Sequence, residues 1–374
     1  MSLLKNLTEQ PQPLKSPLST ILALPKDHQD KLDYRPDEFP GARDIPTPYG
    51  SIRTYEFGAE TGPKVLLVHG ISTTCQSLSH IAHSLARTGY RVLLFDLFGR
   101  GFSDSPPDLP HDARLYVSQI LLVLASSSIF SKGEKMRVVG YSMGGGIAVN
   151  FCATFPNLVE SCVLLAPAGF VERASYGTAK NVMLGSALVP EWAVQKLARG
   201  TLVKGLKPKE DKVGGKGKEL DGEGEEEDVS LLEKLLAGEP GIGLGEAEVG
   251  YQKVAVGDQS LAARSHRYKA WMTDHHPGFL PAYLSCCRVG PISDQDDAYR
   301  QLGKTGVPTG FVFAKKDDKI FERYYFEKAL PLLQGEDNKP FWKVVGGDHH
   351  FVMTHPSEVV AAIFEFWKQV QSSR

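Results

Sequence analysis

Three things are scarce in this 374-residue chain, and each scarcity closes off a class of function. Long apolar runs are missing. None reaches the roughly 20 residues a helix needs to cross a bilayer, and the opening MSLLKNLTEQPQPLKSP lacks the continuous apolar core of a secretory signal. The expectation is a cytoplasmic chain with no transmembrane segment, in which the glycosylation sequon at Asn6-Leu7-Thr8 is accidental. Net charge is nearly absent, at −2, which argues against a nucleic-acid partner, because phosphate binding needs a clustered lysine and arginine excess on a folded face. Cysteine is sparse. The five residues, Cys75, Cys152, Cys162, Cys286 and Cys287, are odd in number and lack metal-ligand spacing, so free thiols in a reducing compartment are expected and no metal is called for. What the chain does have is apolar content, at 42%, enough for a substantial core.

The stretch MRVVGYSMGGGIAVN, residues 136–150, organises the rest. Met136 to Val139 is a short β-branched run of the kind that forms a buried parallel strand, and Gly144 to Ala153 has the small and apolar residues of a close-packed helix. Between them Gly140-Tyr141-Ser142-Met143-Gly144 is a G-x-S-x-G nucleophile elbow, a turn so sharp that side chains at the two glycines would clash with the neighbouring strand and helix. The turn pushes the Ser142 hydroxyl beyond the strand end. It also places the Met143 N–H at a helix N-terminus, where developing negative charge is stabilised.

In chain order, residues 1–41 are rich in proline and polar residues and read as an extended arm. ARDIPTP and SIRTYEF around Tyr49-Gly50 read as an antiparallel hairpin. Strands at Lys64 to Val68, Arg91 to Phe95 and Ser161 to Leu165 then alternate with helices near Thr74 to Arg87, near His111 to Ser126 and after the elbow. This alternation predicts an α/β fold with a mostly parallel eight-stranded sheet, helices on both faces and functional loops at the strands' carboxyl ends. It is interrupted after the sixth strand and resumes at Gly310 to Ala314, a helix near Glu322 to Leu332, Phe341 to Val345, and a last helix, Pro356 to Val370. The insertion predicts a helical cap over the strand ends, with helices near Tyr176 to Gly185, Pro190 to Ala198, Leu231 to Ala237 and Gln259 to Thr273. The expected divisions are an arm over 1–41, a core over 42–170, a cap over 171–304 and the rest of the core over 305–374. Within the cap, Lys204 to Asp228 carries lysines first and carboxylates afterwards with almost no apolar side chain, and predicts a disordered loop. Gly241-Ile242-Gly243-Leu244-Gly245 misses dinucleotide spacing, so no cofactor is expected.

With its HG turn at His69-Gly70, its D-x-x-G-x-G-x-S loop from Asp96 to Ser103, the elbow and a histidine segment near the C-terminus, the sequence resembles the α/β-hydrolase superfamily. The likeness is to the lid-bearing branch of esterases, lipases, proline iminopeptidases and C–C bond hydrolases. It covers about Ala42 to Gly169 and Thr305 to the C-terminus. The resemblance implies that Ser142 is the nucleophile and that Met143 and Ile71 give backbone N–H groups to an oxyanion. The acid falls on Asp317 or Asp318. Relatives place the aspartate nine residues after a proline, which from Pro308 arrives at Asp317, although Ala314 and Phe321 depart from the usual glycine and proline. The base falls on His349 or His350, and the usual proline seven residues later, here Pro356, points to His349. Asp348 stands where glycine is usual. His69 is structural in such proteins, and His275 and His276 lie in the cap, either lining the pocket or packing.

The chemistry so implied is hydrolysis of a carboxylic ester of a small or lipid-like acyl substrate through an acyl-enzyme. A serine in the elbow excludes the aspartate-nucleophile routes of epoxide hydrolases and haloalkane dehalogenases. Two rivals stay open: a C–C bond or amide hydrolase using the same three side chains, and a binding protein that kept the fold without turnover. No protein partner is legible.

Overall fold

The computed structural model describes residues 11–171, 189–203, 260–333 and 339–372. Eight strands pair into one sheet: β1 (Ala42–Thr47), β2 (Gly50–Gly58), β3 (Lys64–Val68), β4 (Arg91–Phe95), β5 (Met136–Tyr141), β6 (Val159–Leu165), β7 (Thr309–Ala314) and β8 (Phe341–Val345). Their spatial order is β1-β2-β4-β3-β5-β6-β7-β8. The β1–β2 hairpin and the β2–β4 pair are antiparallel, and every pairing from β4 to β8 is parallel. β3, β5 and β7 are buried at every residue, which is why they read as unbroken apolar runs rather than alternating ones. The chain passes from β3 to β4 on one side and then to β5 on the other, so the loops after β3 and β5 diverge and leave a crevice at the sheet's carboxyl edge.

The helices, in chain order, are α1 (Leu18–Leu22), α2 (Lys26–Gln29), α3 (Ser79–Arg87), α4 (Ala113–Ser126), α5 (Met143–Thr154), α6 (Glu191–Val203), α7 (Leu261–His275), α8 (Phe279–Val289), α9 (Asp296–Lys304), α10 (Glu322–Leu333), α11 (Phe351–Thr354) and α12 (Pro356–Ser372). Local chemistry fixes several starts: the Asp112 carboxylate accepts from Leu115 N at the head of α4, and Ser260 accepts from Ala263 N at the head of α7. Among the described residues no helix is long and apolar enough to cross a membrane.

Two expectations need correction. The described part of the N-terminal segment is not extended. It forms α1 and α2, and Tyr34 and Phe39 are buried in the main core. Two aromatic anchors outweigh a proline-rich, polar composition because each buries a large apolar area. The insertion also ends earlier than residue 304: α9 packs on α5 and α10 beside the sheet, with Tyr299 buried among Phe170, Phe311 and Tyr325. α6 and α7 fall near two of the four expected cap helices. The other two, and the charged segment Lys204 to Asp228, lie outside the described residues.

Candidate active site

Ser142 joins β5 to α5 with φ 54° and ψ −122°, a conformation that costs a non-glycine residue about 1–3 kcal/mol. The surroundings hold it there. Ser142 N donates to the Leu165 carbonyl at 3.0 Å, and its own carbonyl accepts from Ala168 N at 2.7 Å. The flanking glycines are demanded by space: a Cβ at Gly140 would sit 2.4 Å from the Gly144 carbonyl oxygen, and one at Gly144 only 2.2 Å from that of Val68.

The serine hydroxyl meets the histidine segment from the far end of the sheet. His349 Nε2 lies 3.1 Å from Ser142 Oγ, and His349 Nδ1 lies 2.8 Å from Asp317 Oδ2. The Asp317 side chain is 1% exposed, and its other oxygen accepts from Lys319 N and Ile320 N at 2.8 and 2.9 Å. Those two bonds fix the carboxylate, and the carboxylate fixes the imidazole with its proton on Nδ1 and its Nε2 lone pair toward the hydroxyl. Tyr141, the residue before the serine, adds a third restraint by donating its hydroxyl to the His349 carbonyl at 2.6 Å.

The neighbours in both doublets point elsewhere. Asp318 is exposed and pairs with Lys319 Nζ at 2.7 Å. His350 lies 3.4 Å from Asp348, whose carboxyl is held below the usual range by hydrogen bonding from His350. Asp348 thus engages the outer histidine and its backbone N–H.

Met143 occupies the first position of α5, where a backbone N–H has no intrahelical acceptor. The turn after β3 comes against the elbow: a Cβ on Gly70 would be 3.2 Å from Ser142 Cβ, which brings the Ile71 peptide alongside the serine. His69 is buried and spends both ring nitrogens on backbone, Nε2 accepting from Leu97 N and Nδ1 donating to the Gly70 carbonyl, each at 2.9 Å. Burial pushes its pKa down to about 3, so it stays neutral. His276 is likewise used up, between the Ser103 carbonyl and Gly278 N, while His275 is exposed and stacks on Trp271.

Two features of the Asp96 to Ser103 loop escape a reading by local pattern. Asp96 is fully buried and accepts from Tyr34 Oη, Cys75 N and Phe102 N at 2.9, 3.1 and 3.0 Å, while burial raises its pKa. Arg100, which the sequence presents only as a residue between two turn glycines, is fully buried and donates Nε to the Ile71 carbonyl at 3.0 Å. Its partners come from three distant segments, and no spacing rule connects them.

A protein-family model described as serine aminopeptidase, S33, matches residues 59–213. The chain is 31% identical over 141 residues to an uncharacterized protein of Mycobacterium tuberculosis, covering 37% of this chain and 39% of that one. It is 30% identical over 122 residues to a serine hydrolase-like protein of Homo sapiens, covering 32% of this chain and 58% of that one. The matched region is thus less than two thirds of either relative's length. Among solved structures, one from work on carboxylesterases of Nitrososphaera gargenis aligns with a TM-score of 0.58 over 89% of this chain and 100% of that one, at 13% identity. At that identity the likeness is one of fold.

Proposed function

We propose that the chain is a serine hydrolase of the α/β-hydrolase superfamily, cleaving a carboxylic ester through an acyl-enzyme, with Ser142 as nucleophile, His349 as base and Asp317 as acid. The observation that carries this is the single imidazole of His349 bridging Ser142 Oγ and Asp317 Oδ2 at 3.1 and 2.8 Å. Both distances lie within reach for proton transfer and for fixing the tautomer.

In this reading His349 Nε2 takes the hydroxyl proton as Ser142 Oγ bonds to the ester carbonyl carbon. The carbonyl π electrons move to oxygen, and the resulting oxyanion is met by the N–H groups of Met143 and Ile71. Each such donor is worth on the order of a hundredfold in rate. Collapse breaks the ester C–O bond, and His349 returns its proton to the departing alkoxide. A water then attacks the acyl-enzyme with His349 again as base, releasing the carboxylic acid and restoring Ser142. Asp317 keeps its contact with His349 Nδ1 throughout and stabilises the imidazolium.

A second reading, amide hydrolysis by the same three side chains, is favoured by the description of the family model that matches residues 59–213. The two separate in one experiment. Purified protein is given p-nitrophenyl esters from acetate to laurate and, in parallel, aminoacyl p-nitroanilides. The expected result is ester turnover that exceeds anilide turnover and falls about a thousandfold or more in Ser142→Ala at unchanged melting temperature. Faster anilide than ester turnover favours the peptidase reading. Turnover of neither, with the fold intact, favours a binding protein.

A further inference from the structure

Arg100 is a buried cation with no anion beside it. Its side chain is fully buried, and among the described residues no carboxylate pairs with it. Its guanidinium instead donates Nε to the Ile71 carbonyl at 3.0 Å, Nη1 to the Phe98 carbonyl at 2.9 Å and to Tyr116 Oη at 2.6 Å, and Nη2 to Cys286 Sγ at 3.2 Å. The two carboxylates of its own loop are engaged elsewhere: Asp96 by Tyr34, Cys75 N and Phe102 N, and Asp104 by Lys15, Ser16 N and Ser51 N. Three histidines around it, His69, His111 and His276, are kept neutral by burial, with the Arg100 charge acting in the same direction. A charge removed from water without a counter-ion is costly, and such a residue persists where a negative charge forms only during turnover.

We propose that Arg100 is a positioning residue for the oxyanion pocket. Its Nε–H clamps the carbonyl of Ile71 and so holds the turn whose N–H faces the oxyanion, while its uncompensated charge favours the tetrahedral state over the neutral ester. This rests on the reading of Ser142 as nucleophile. Cys286 on α8 meets the guanidinium at Nη2, away from the Nε that holds the Ile71 carbonyl.

The test uses the full chain, its active sites counted by fluorophosphonate titration. Per titrated site, Arg100→Gln is expected to lower kcat for p-nitrophenyl butyrate by about thirtyfold or more with KM within about threefold. It should weaken a trifluoromethyl ketone, which forms a hemiketal oxyanion on the serine, by a similar factor. Arg100→Lys keeps the charge and loses the fork, and should recover part of both. Cys286→Ala, which leaves the Ile71 contact in place, should keep inhibitor affinity within about threefold. A role in stability alone would lower melting temperature or the titratable fraction while leaving kcat per site and inhibitor affinity at wild-type values, and that result overturns the proposal. If Arg100→Gln does not fold, Arg100→Lys decides alone: wild-type kcat per site and inhibitor affinity overturn the proposal, and a parallel loss of both supports it. Failure of the wild-type protein to react with the fluorophosphonate overturns the nucleophile reading, and the Arg100 proposal with it. Normal reaction with unchanged Arg100 variants overturns Arg100 only.

Discussion

Ser142 and His349 are separated by 207 residues and meet at 3.1 Å, and of the three side chains on which the proposed function hangs, two have a chemically identical neighbour in sequence. Asp318 and His350 could each do the same chemistry if they stood where Asp317 and His349 stand. Removing the inner member of each pair should therefore be far worse than removing the outer one. Asp317→Asn and His349→Ala are expected to lower kcat about a thousandfold or more, and Asp318→Asn and His350→Ala less than about tenfold. Steady-state kinetics on one acyl ester checks all four, and an inverted order within either pair would reassign that role. The sequence narrowed each role to an adjacent pair, and the resemblance chose Asp317 and His349 by their distances from Pro308 and Pro356. Arg100 and Tyr34 were not legible, since what makes them matter is a carbonyl at Ile71 and a carboxylate at Asp96, reached only after the chain has folded.

At the scale of elements, the central parallel strands could be read to within about two residues, because burial on both faces leaves a short, mainly apolar run. Composition misled at the N-terminus. The segment before β1 carries ion-pairing groups that bind α7: Glu38 accepts two bonds from Arg264 at 3.0 Å each, and Asp33 pairs with Arg267 at 2.6 Å. The Glu38 and Arg264 side chains are 5% and 12% exposed, so this pair is largely shielded from water. Arg264→Ala would remove the nearest cation from the Glu38 carboxylate, leaving it Arg35 at 3.8 Å and a hydrogen bond from Gln76 at 3.3 Å, and should destabilise the fold by about 2 kcal/mol. Chemical denaturation should show it, and a double-mutant cycle with Glu38→Ala should recover much of the loss. Additive effects of the two substitutions would mean that the pair contributes nothing as a pair.

For the molecule as a whole, the buried histidines set how stability follows pH. His69 and His111 are pushed down to about 3 and His276 to about 4, burial being the main cause in each, against about 6.5 in an unfolded chain. These groups have depressed folded-state values, so the unfolded chain takes up protons first. Their contribution is full above about pH 6.5 and is lost as pH falls toward the folded values. Each should cost about 2 kcal/mol at pH 5, and together they should lower Tm by on the order of 10 °C between pH 7 and pH 5. A flat melting profile over that range would show that these imidazoles are hydrated or paired in solution. The hydrolase reading itself is tested most directly by reacting the intact protein with a fluorophosphonate and mapping the adduct by peptide mass spectrometry. The expected result is one stoichiometric adduct on the peptide containing Ser142, absent from Ser142→Ala. An unmodified Ser142 peptide in folded protein, or an adduct on another residue, would contradict the proposed function.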